Sequence, residues 1–231
     1  MKILGFQKLT LLDYPGKTAA TVFTGGCNFR CPFCHNGELV LSPDTVPVFD
    51  EDEVISTLSR RKGFLDGVCV TGGEPLAWNT LGEFIKKIKD TGLLVKLDTN
   101  GSFPSRLDAL LKENLLDYVA MDVKSSAKEY SKAVGLPAFD TAPICESVEI
   151  IKGAQIDKEF RTTVVSELHS DTVMEDISLW LKGDVPYFLQ AYRLSDGVID
   201  KSLTPPSKQD LLRYLEIVKK HLPLAQIRGV E

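Results

Sequence analysis

Three cysteines fall within one short stretch, Cys27-Asn-Phe-Arg-Cys31-Pro-Phe-Cys34, directly after an apolar run, Ala19 to Thr24, with the character of a β-strand. Three thiolates on one loop select zinc, copper(I) or an iron-sulfur cluster. A structural zinc site wants four Cys or His ligands. His35 is the obvious fourth, but as the neighbour of Cys34 it would strain the chelate. Cys69 and Cys145, the remaining two of five cysteines, sit in apolar runs and read as core residues. Three thiolates without a good fourth ligand point to a single cluster with one open iron, where a substrate coordinates. A zinc-binding interaction module is the alternative from a different class. It would be colourless, whereas an iron-sulfur protein is brown.

Charge and composition remove other classes. Lys plus Arg number 27 against 32 Asp plus Glu, a net charge of −5, which argues against a sequence-independent nucleic-acid binder. No apolar run approaches the ~20 residues of a membrane helix. The N-terminal stretch MKILGFQKLTLLDYPGK has neither a long apolar segment nor a small-residue cleavage site, so a cytoplasmic chain without a signal peptide is expected. In that compartment cysteines are metal ligands or buried thiols rather than disulfides. Neither a GxxxxGK[ST] loop nor a GxGxxG fingerprint is present, so the usual nucleotide-binding loops are missing.

Short apolar runs alternate with amphipathic stretches. Ala19–Thr24, Val68–Thr71, Leu93–Leu97, Tyr118–Met121, Phe160–Val165 and Tyr187–Tyr192 read as strands. Between them lie helix starts: Asp50-x-x-Glu53, a capping-box pattern Thr80-x-x-Glu83, Ser105, Asp171, and Ser207 after two prolines. This alternation implies right-handed crossovers and a parallel sheet covered on both faces. About six units suit a partial (β/α)6 TIM-type barrel of parallel strands, one α/β domain over residues 1–231. A doubly wound open sheet would give the same one-dimensional pattern.

Sites in parallel barrels are built where strands end at the C-terminal mouth. Those positions hold Gly72-Gly73-Glu74-Pro75, Asp98-Thr99-Asn100-Gly101 and Met121-Asp122-Val123-Lys124. The two glycines allow backbone to approach a ligand closely, and Glu74 adds a carboxylate. Ordinary turns would account for the first two segments, and a salt-bridged strand end for the third, in which Asp122 and Lys124 project to one side. Arg161, within a core strand, needs a partner.

CxxxCxxC with an aromatic residue before the last cysteine resembles the signature of the radical S-adenosylmethionine (SAM) superfamily. The resemblance implies that Cys27, Cys31 and Cys34 hold one 4Fe-4S cluster whose open iron chelates SAM, with the backbone around Phe33, Cys34 and His35 facing adenine. GGEP, roughly forty residues later, matches the family's motif for the SAM amino group. DTNG and MDVK resemble one branch, the glycyl-radical-enzyme activases. Cys34-His35-Asn36 fits the same branch, and Leu12-Asp13-Tyr14-Pro15-Gly16 is similar to its N-terminal D-G-P-G segment, with Tyr14 in place of Gly. Within that branch the chain is most similar to the longer activating proteins of anaerobic ribonucleoside-triphosphate reductase.

The branch implies a monovalent cation bound by Asp98, Thr99, Asp122 and the Ala120 carbonyl. It also implies a SAM contact from Lys124, a protein partner that receives a glycyl radical, and a flavodoxin- or ferredoxin-type electron donor. Arg161, on the fifth strand, is placed to meet the SAM carboxylate or ribose. Some activases place a His after the sixth strand; this chain offers Gln190, Tyr192 and Arg193 there, and Gln190 is taken as the contact. A radical SAM enzyme acting on a small molecule or another peptide is the competing enzymatic reading.

Overall fold

In the computed structural model, which describes residues 1–229, all the expected strands form. They are β2 (Ala19–Thr24), β3 (Gly67–Gly72), β4 (Leu94–Thr99), β5 (Tyr118–Asp122), β6 (Asp157–Val164) and β7 (Tyr187–Ala191). Two further strands flank them: β1 (Ile3–Thr10), antiparallel to β2, and β8 (Ala225–Arg228), parallel to β7. The sheet runs β1 to β8 in chain order, with every pair after the first parallel, and its two edges are not joined. The result is a partial barrel. The last two residues of the expected domain, Val230 and Glu231, lie outside the described residues.

The two faces of the sheet differ, and the period of two along each strand sets the difference. Val68 and Val70, Val95 and Leu97, Val119 and Met121 point outward into the main core with Phe84, Ile85 and Ile88. These three belong to α3 (Leu81–Asp90). The inner positions are polar: Lys96 and Asp98, Asp122, Glu159, Arg161 and Thr163, and Gln190. Register aligns them, with Asp122 beside Arg161 and Thr163 beside Gln190. The barrel floor is apolar. Tyr14, in the β1–β2 connection, packs edge-on against Tyr118 at 5.8 Å between ring centroids, together with Ala19 and Ala120. The residue that departs from the D-G-P-G pattern is therefore the floor plug.

Helix starts agree only in part with the sequence signals. Asp50 caps α2 (Glu51–Arg60) by accepting from the Glu53 amide at 3.0 Å, and Ser207 caps α8 (Lys208–Lys219) by accepting from the Asp210 amide. The Thr80–Glu83 box does not form; the Thr80 hydroxyl instead accepts from the N-terminal ammonium at 3.1 Å. Ser105 lies inside α4 (Pro104–Lys112), whose fixed-φ proline opens the helix. Ser170, not Asp171, caps α7 (Asp171–Leu181).

A whole helix, α6 (Ala142–Gly153), has no counterpart in the sequence reading. It starts on Ala142-Pro143 without a side-chain cap, and a serine interrupts its buried stripe of Ile144, Ser147, Val148 and Ile151. Ser147 is there for a reason: its hydroxyl donates to the Gly101 carbonyl at 2.6 Å, anchoring the turn after β4. Cys145, on the same helix, is half-buried rather than a core residue, whereas Cys69 is fully buried. Phe84 sits without exposure under the sheet. Phe84→Ala is expected to lower unfolding stability by about 3–5 kcal/mol in urea titration; a loss under about 1 kcal/mol would mean that this face is not the principal core.

Candidate active site

The cysteine loop leaves β2 at Thr24 and is held mainly by backbone. The Gly26 amide donates to the Leu39 carbonyl in α1 (Gly37–Leu41), and Arg30 donates to Val134 in α5 (Tyr130–Val134). Asp200 donates to the Pro32 carbonyl at 2.8 Å, and Ile199 to Cys34. Side chains add to these backbone contacts: the Trp78 indole donates to the Gly25 carbonyl at 2.8 Å and Asn36 to the Gly72 carbonyl at 2.8 Å.

Cys27, Cys31 and Cys34 open onto one cavity of about 740 Å³ counting its open mouth. Phe33, His35, Gly72, Gly73, Asp98, Thr99, Asn100, Asp122 and Lys124 line the same cavity, so most of the residues singled out from sequence do converge. Burial pushes the Cys27 thiol up to about 11 and the Cys31 thiol up to about 12. Both thiols must give up protons when a metal cluster binds. The Cys27 sulfur already accepts from the Phe29 amide at 3.3 Å and lies 3.7 Å from the Asn100 amide nitrogen.

The donor set fits a cubane cluster with one iron free of protein ligands. Three soft thiolates face the cavity, and one ring nitrogen of His35 is turned to backbone. Its Nε2 lies 2.7 Å from the Arg193 carbonyl, which only accepts, so that nitrogen carries its hydrogen. Among the described residues, no three His, Cys, Asp or Glu side chains converge on a point where one metal ion would sit. Thiolates around a cubane are spread more widely than ligands around a single ion.

Charge is concentrated on the inner wall. Arg161 Nε donates to Asp122 at 2.8 Å and its Nη1 to Asp98 at 3.2 Å. Lys124 donates to the other Asp122 oxygen at 3.0 Å, and Lys96 pairs with Asp98. Burial alone would raise both aspartates, but Arg161 with Lys96 or Lys124 holds each below the ordinary carboxylate range. Arg161 has therefore found the partners a core arginine requires. Lys96, Thr163, Glu159 and Arg228 escaped the sequence reading. For the first three the signal was the same period of two, with Lys96 two residues before Asp98 and Glu159 and Thr163 two residues either side of Arg161. Arg228 lies on β8, a strand without a counterpart in the sequence reading.

Other expected contacts are placed differently. Glu74 is fully buried and turned away from the cavity. One of its oxygens accepts from the Leu76 amide at 3.0 Å and the Thr99 hydroxyl at 2.8 Å, the other from the Asn100 amide at 2.7 Å. Pro75 opens a short 3₁₀ turn (Pro75–Ala77), and Val123 is in the core. The glycines serve loop-to-loop packing: a Cβ on Gly73 would stand 1.8 Å from the Gly26 carbonyl, and one on Gly72 would stand 2.4 Å from the Thr24 nitrogen. Gln190 lies outside the cysteine-lined cavity, in two adjoining clefts, one shared with Asp98 and Arg161 and the other with His35 and Thr163.

Glu74→Ala would strand a hydroxyl and two amides, at about 1–3 kcal/mol for each buried group left unpaired. A loss of at least about 3 kcal/mol in urea unfolding is expected; under about 1 kcal/mol would dismiss the bracket. Burial pushes the Glu74 carboxyl up to about 7 from 4.5, against the pull of its three donors. The folded protein thus holds a proton that the unfolded chain releases. This contribution is complete below the unfolded value and is lost as pH rises through the folded one. Wild-type protein should therefore lose stability relative to Glu74→Gln between pH 4.5 and about 7, and parallel pH profiles would contradict the raised carboxyl.

The profile of the radical SAM superfamily matches residues 21–179. A Methanocaldococcus jannaschii protein provisionally named glycyl-radical enzyme activating enzyme is 30% identical over 234 aligned positions, covering 99% of this chain and 96% of that one. The pyruvate formate-lyase-activating enzyme of Clostridium pasteurianum is 31% identical over 133 positions, covering 53% of this chain and 52% of its own length. Among solved structures, Streptococcus suis SuiB bound to S-adenosylmethionine superposes with a TM-score of 0.69 at 14% identity over 90% of this chain. This chain spans 49% of that protein, so the likeness is one of fold. With the three thiolates, the glycine pair and the partial barrel in place, the comparisons close the argument: the chain belongs to the radical SAM superfamily, in the branch of the glycyl-radical-enzyme activating proteins.

Proposed function

We propose that this protein cleaves SAM reductively at a single 4Fe-4S cluster held by Cys27, Cys31 and Cys34, and installs a glycyl radical on a partner enzyme such as anaerobic ribonucleotide reductase. The observation that carries the reading is the shared cavity: the cysteine loop and the ends of β3, β4 and β5 face one space. When bound, the cluster supplies one electron to the SAM sulfonium, releasing methionine and a carbon radical that removes hydrogen from the partner's glycine. The hard chemistry belongs to the cofactors, and the chain binds, orients and excludes water.

Backbone at Gly72 and Gly73 suits the SAM amino group, and Phe33 to His35 suit the adenine. Phe33 is buried at the cavity wall with the Lys124 ammonium 5.9 Å from its ring. Lys124, which lines the cavity, offers positive charge for the SAM carboxylate, and Arg161, bridging Asp122 and Asp98, fixes the wall on which Lys124 is held. Gln190 remains at the rim, within reach of an arriving substrate rather than of the cluster.

Two features favour a protein substrate. Relatives along the whole chain carry the activating-enzyme name. The unjoined edge also leaves the barrel interior open beside β8, in a cleft lined by Leu11, Leu12, Asp13, Arg161, Gln190 and Arg228. Leu12 is 90% exposed at that opening. A flavodoxin- or ferredoxin-type donor would reduce the cluster in the cytoplasm, where thiols stay free. No helix among the described residues is long and apolar enough to cross a membrane.

Anaerobic incubation with SAM, a reductant and candidate glycyl-radical enzymes should give a glycyl doublet in EPR with one partner. Deoxyadenosine release with no doublet on any partner would keep SAM cleavage and remove the activase assignment. Cys31→Ala should abolish cluster assembly and deoxyadenosine formation; reductive SAM cleavage by that variant would contradict the ligand set. Cys69 and Cys145 are far apart in sequence and neither joins the cavity, so about four irons per reconstituted chain are expected and about eight would refute a single cluster.

A further inference from the structure

The activase resemblance assigns a monovalent cation to Asp98, Thr99, Asp122 and the Ala120 carbonyl, and the inner wall of this barrel does not suit one. All four carboxylate oxygens of the two aspartates already face a cationic side chain. Lys96 takes one Asp98 oxygen and Arg161 the other, at 3.2 Å. Arg161 takes one Asp122 oxygen at 2.8 Å and Lys124 the other at 3.0 Å. The Thr99 hydroxyl donates to Glu74 at 2.8 Å and accepts from the Gly101 amide at 3.1 Å. Ala120 lies mid-strand in register with Asp98 and Glu159, where backbone carbonyls point along the sheet toward neighbouring strands.

Charge balance argues the same way. Arg228 bonds Glu159 twice at 2.8 Å, and Arg161 approaches it at 3.9 Å. Counting Glu159, Lys96, Arg161, Lys124 and Arg228 bring four positive charges to three wall carboxylates, Asp98, Asp122 and Glu159. A further cation would enter a cluster that already has a positive surplus, in a region where water screens poorly. Lys96 has little freedom to withdraw. It is 1% exposed, with its ammonium 3.7 Å from the Cys69 sulfur and 5.7 Å from the Tyr118 ring centroid. Among the described residues its only carboxylate partner is Asp98, two residues along the same strand face.

We propose that Lys96 and Arg161 stand in for the monovalent ion: cations built into the chain hold Asp98 and Asp122, so SAM binds without potassium or sodium. Both are positioning residues, acting on SAM through the aspartates. The surplus positive charge, nearest the cavity at Lys124, remains for an anionic group of the ligand. The inference rests on SAM binding in this cavity and is independent of which protein accepts the radical.

The test is SAM affinity of the anaerobically reconstituted protein, by calorimetry, in potassium, sodium and tetramethylammonium chloride at equal ionic strength. Wild-type affinities should agree within about twofold; binding tighter by about fivefold or more in potassium or sodium would overturn the proposal. Lys96→Met keeps the length and removes the charge, freeing one Asp98 oxygen. It should bind SAM at least about fivefold tighter in potassium or sodium than in tetramethylammonium. If the variant folds and binds equally in all three salts, Lys96 is not replacing an ion and the proposal fails. Thallium NMR gives a readout that needs neither activity nor the variant. Thallous ion bound by wild-type protein at saturable stoichiometry, with or without SAM, would refute the idea, and a signal indifferent to wild-type protein supports it. Loss of the glycyl radical with SAM binding intact would count against the partner assignment alone.

Discussion

The architecture of the site depends on the buried carboxylate of Glu74 and the glycine beside it. Gly73 lets the loop after β3 lie directly against the Gly26 carbonyl of the cysteine loop, to which the Glu74 amide donates at 2.9 Å. The Glu74 side chain then gathers Thr99 and Asn100 from the end of β4. Asn100 passes the connection back, reaching Asn28 at 3.0 Å and lying near the Cys27 sulfur. Three strand ends are thereby locked into one body before any cofactor binds. Preorganisation of this kind is what a site must supply when the bound groups perform the chemistry.

The second constraint is the division of the sheet into an apolar outside and a charged inside. The helices dry the outer face, so the ordinary hydrophobic driving force stabilises the barrel there. Charged groups on the inner face lose hydration, and pairing with one another offsets that cost. The resulting circuit of Lys96, Asp98, Arg161, Asp122 and Lys124 contributes little net stability. What it gives is fixed position: each carboxylate is held at both oxygens, and each cation points at a defined place on the wall. Tyr14 closes the floor, and among the described residues the unjoined edges β1 and β8 leave this interior open at the mouth and at one side.

Much of this was readable from the residues, and what was missed has identifiable causes. The strands followed from short apolar runs separated by amphipathic segments, although their order in the sheet stayed open between a barrel and a doubly wound sheet. Three thiolates without a fourth ligand pointed to a cluster, and the family resemblance supplied SAM. β1 was missed because this edge strand carries consecutive exposed polar residues, Gln7 and Lys8, and so lacks a clean alternation. α6 was missed because a serine serving the turn after β4 stands in its apolar stripe. Glu74 was expected at the ligand, yet it is a bracket; a sequence shows that a carboxylate is present but not which donors surround it. Lys96 was passed over as one polar residue in an apolar run, although its two-residue spacing from Asp98 placed both on one face.

Reductive SAM cleavage here would require one iron left without a protein ligand in the cavity that Cys27, Cys31 and Cys34 line. EPR of the reduced, reconstituted protein before and after addition of SAM tests this most directly. A 4Fe-4S signal whose g-values move on addition of SAM, and which persists when Cys69 and Cys145 are both replaced by alanine, is the expected result. Stoichiometric zinc without sulfide in anoxically purified protein, or a cluster spectrum indifferent to SAM, would contradict it.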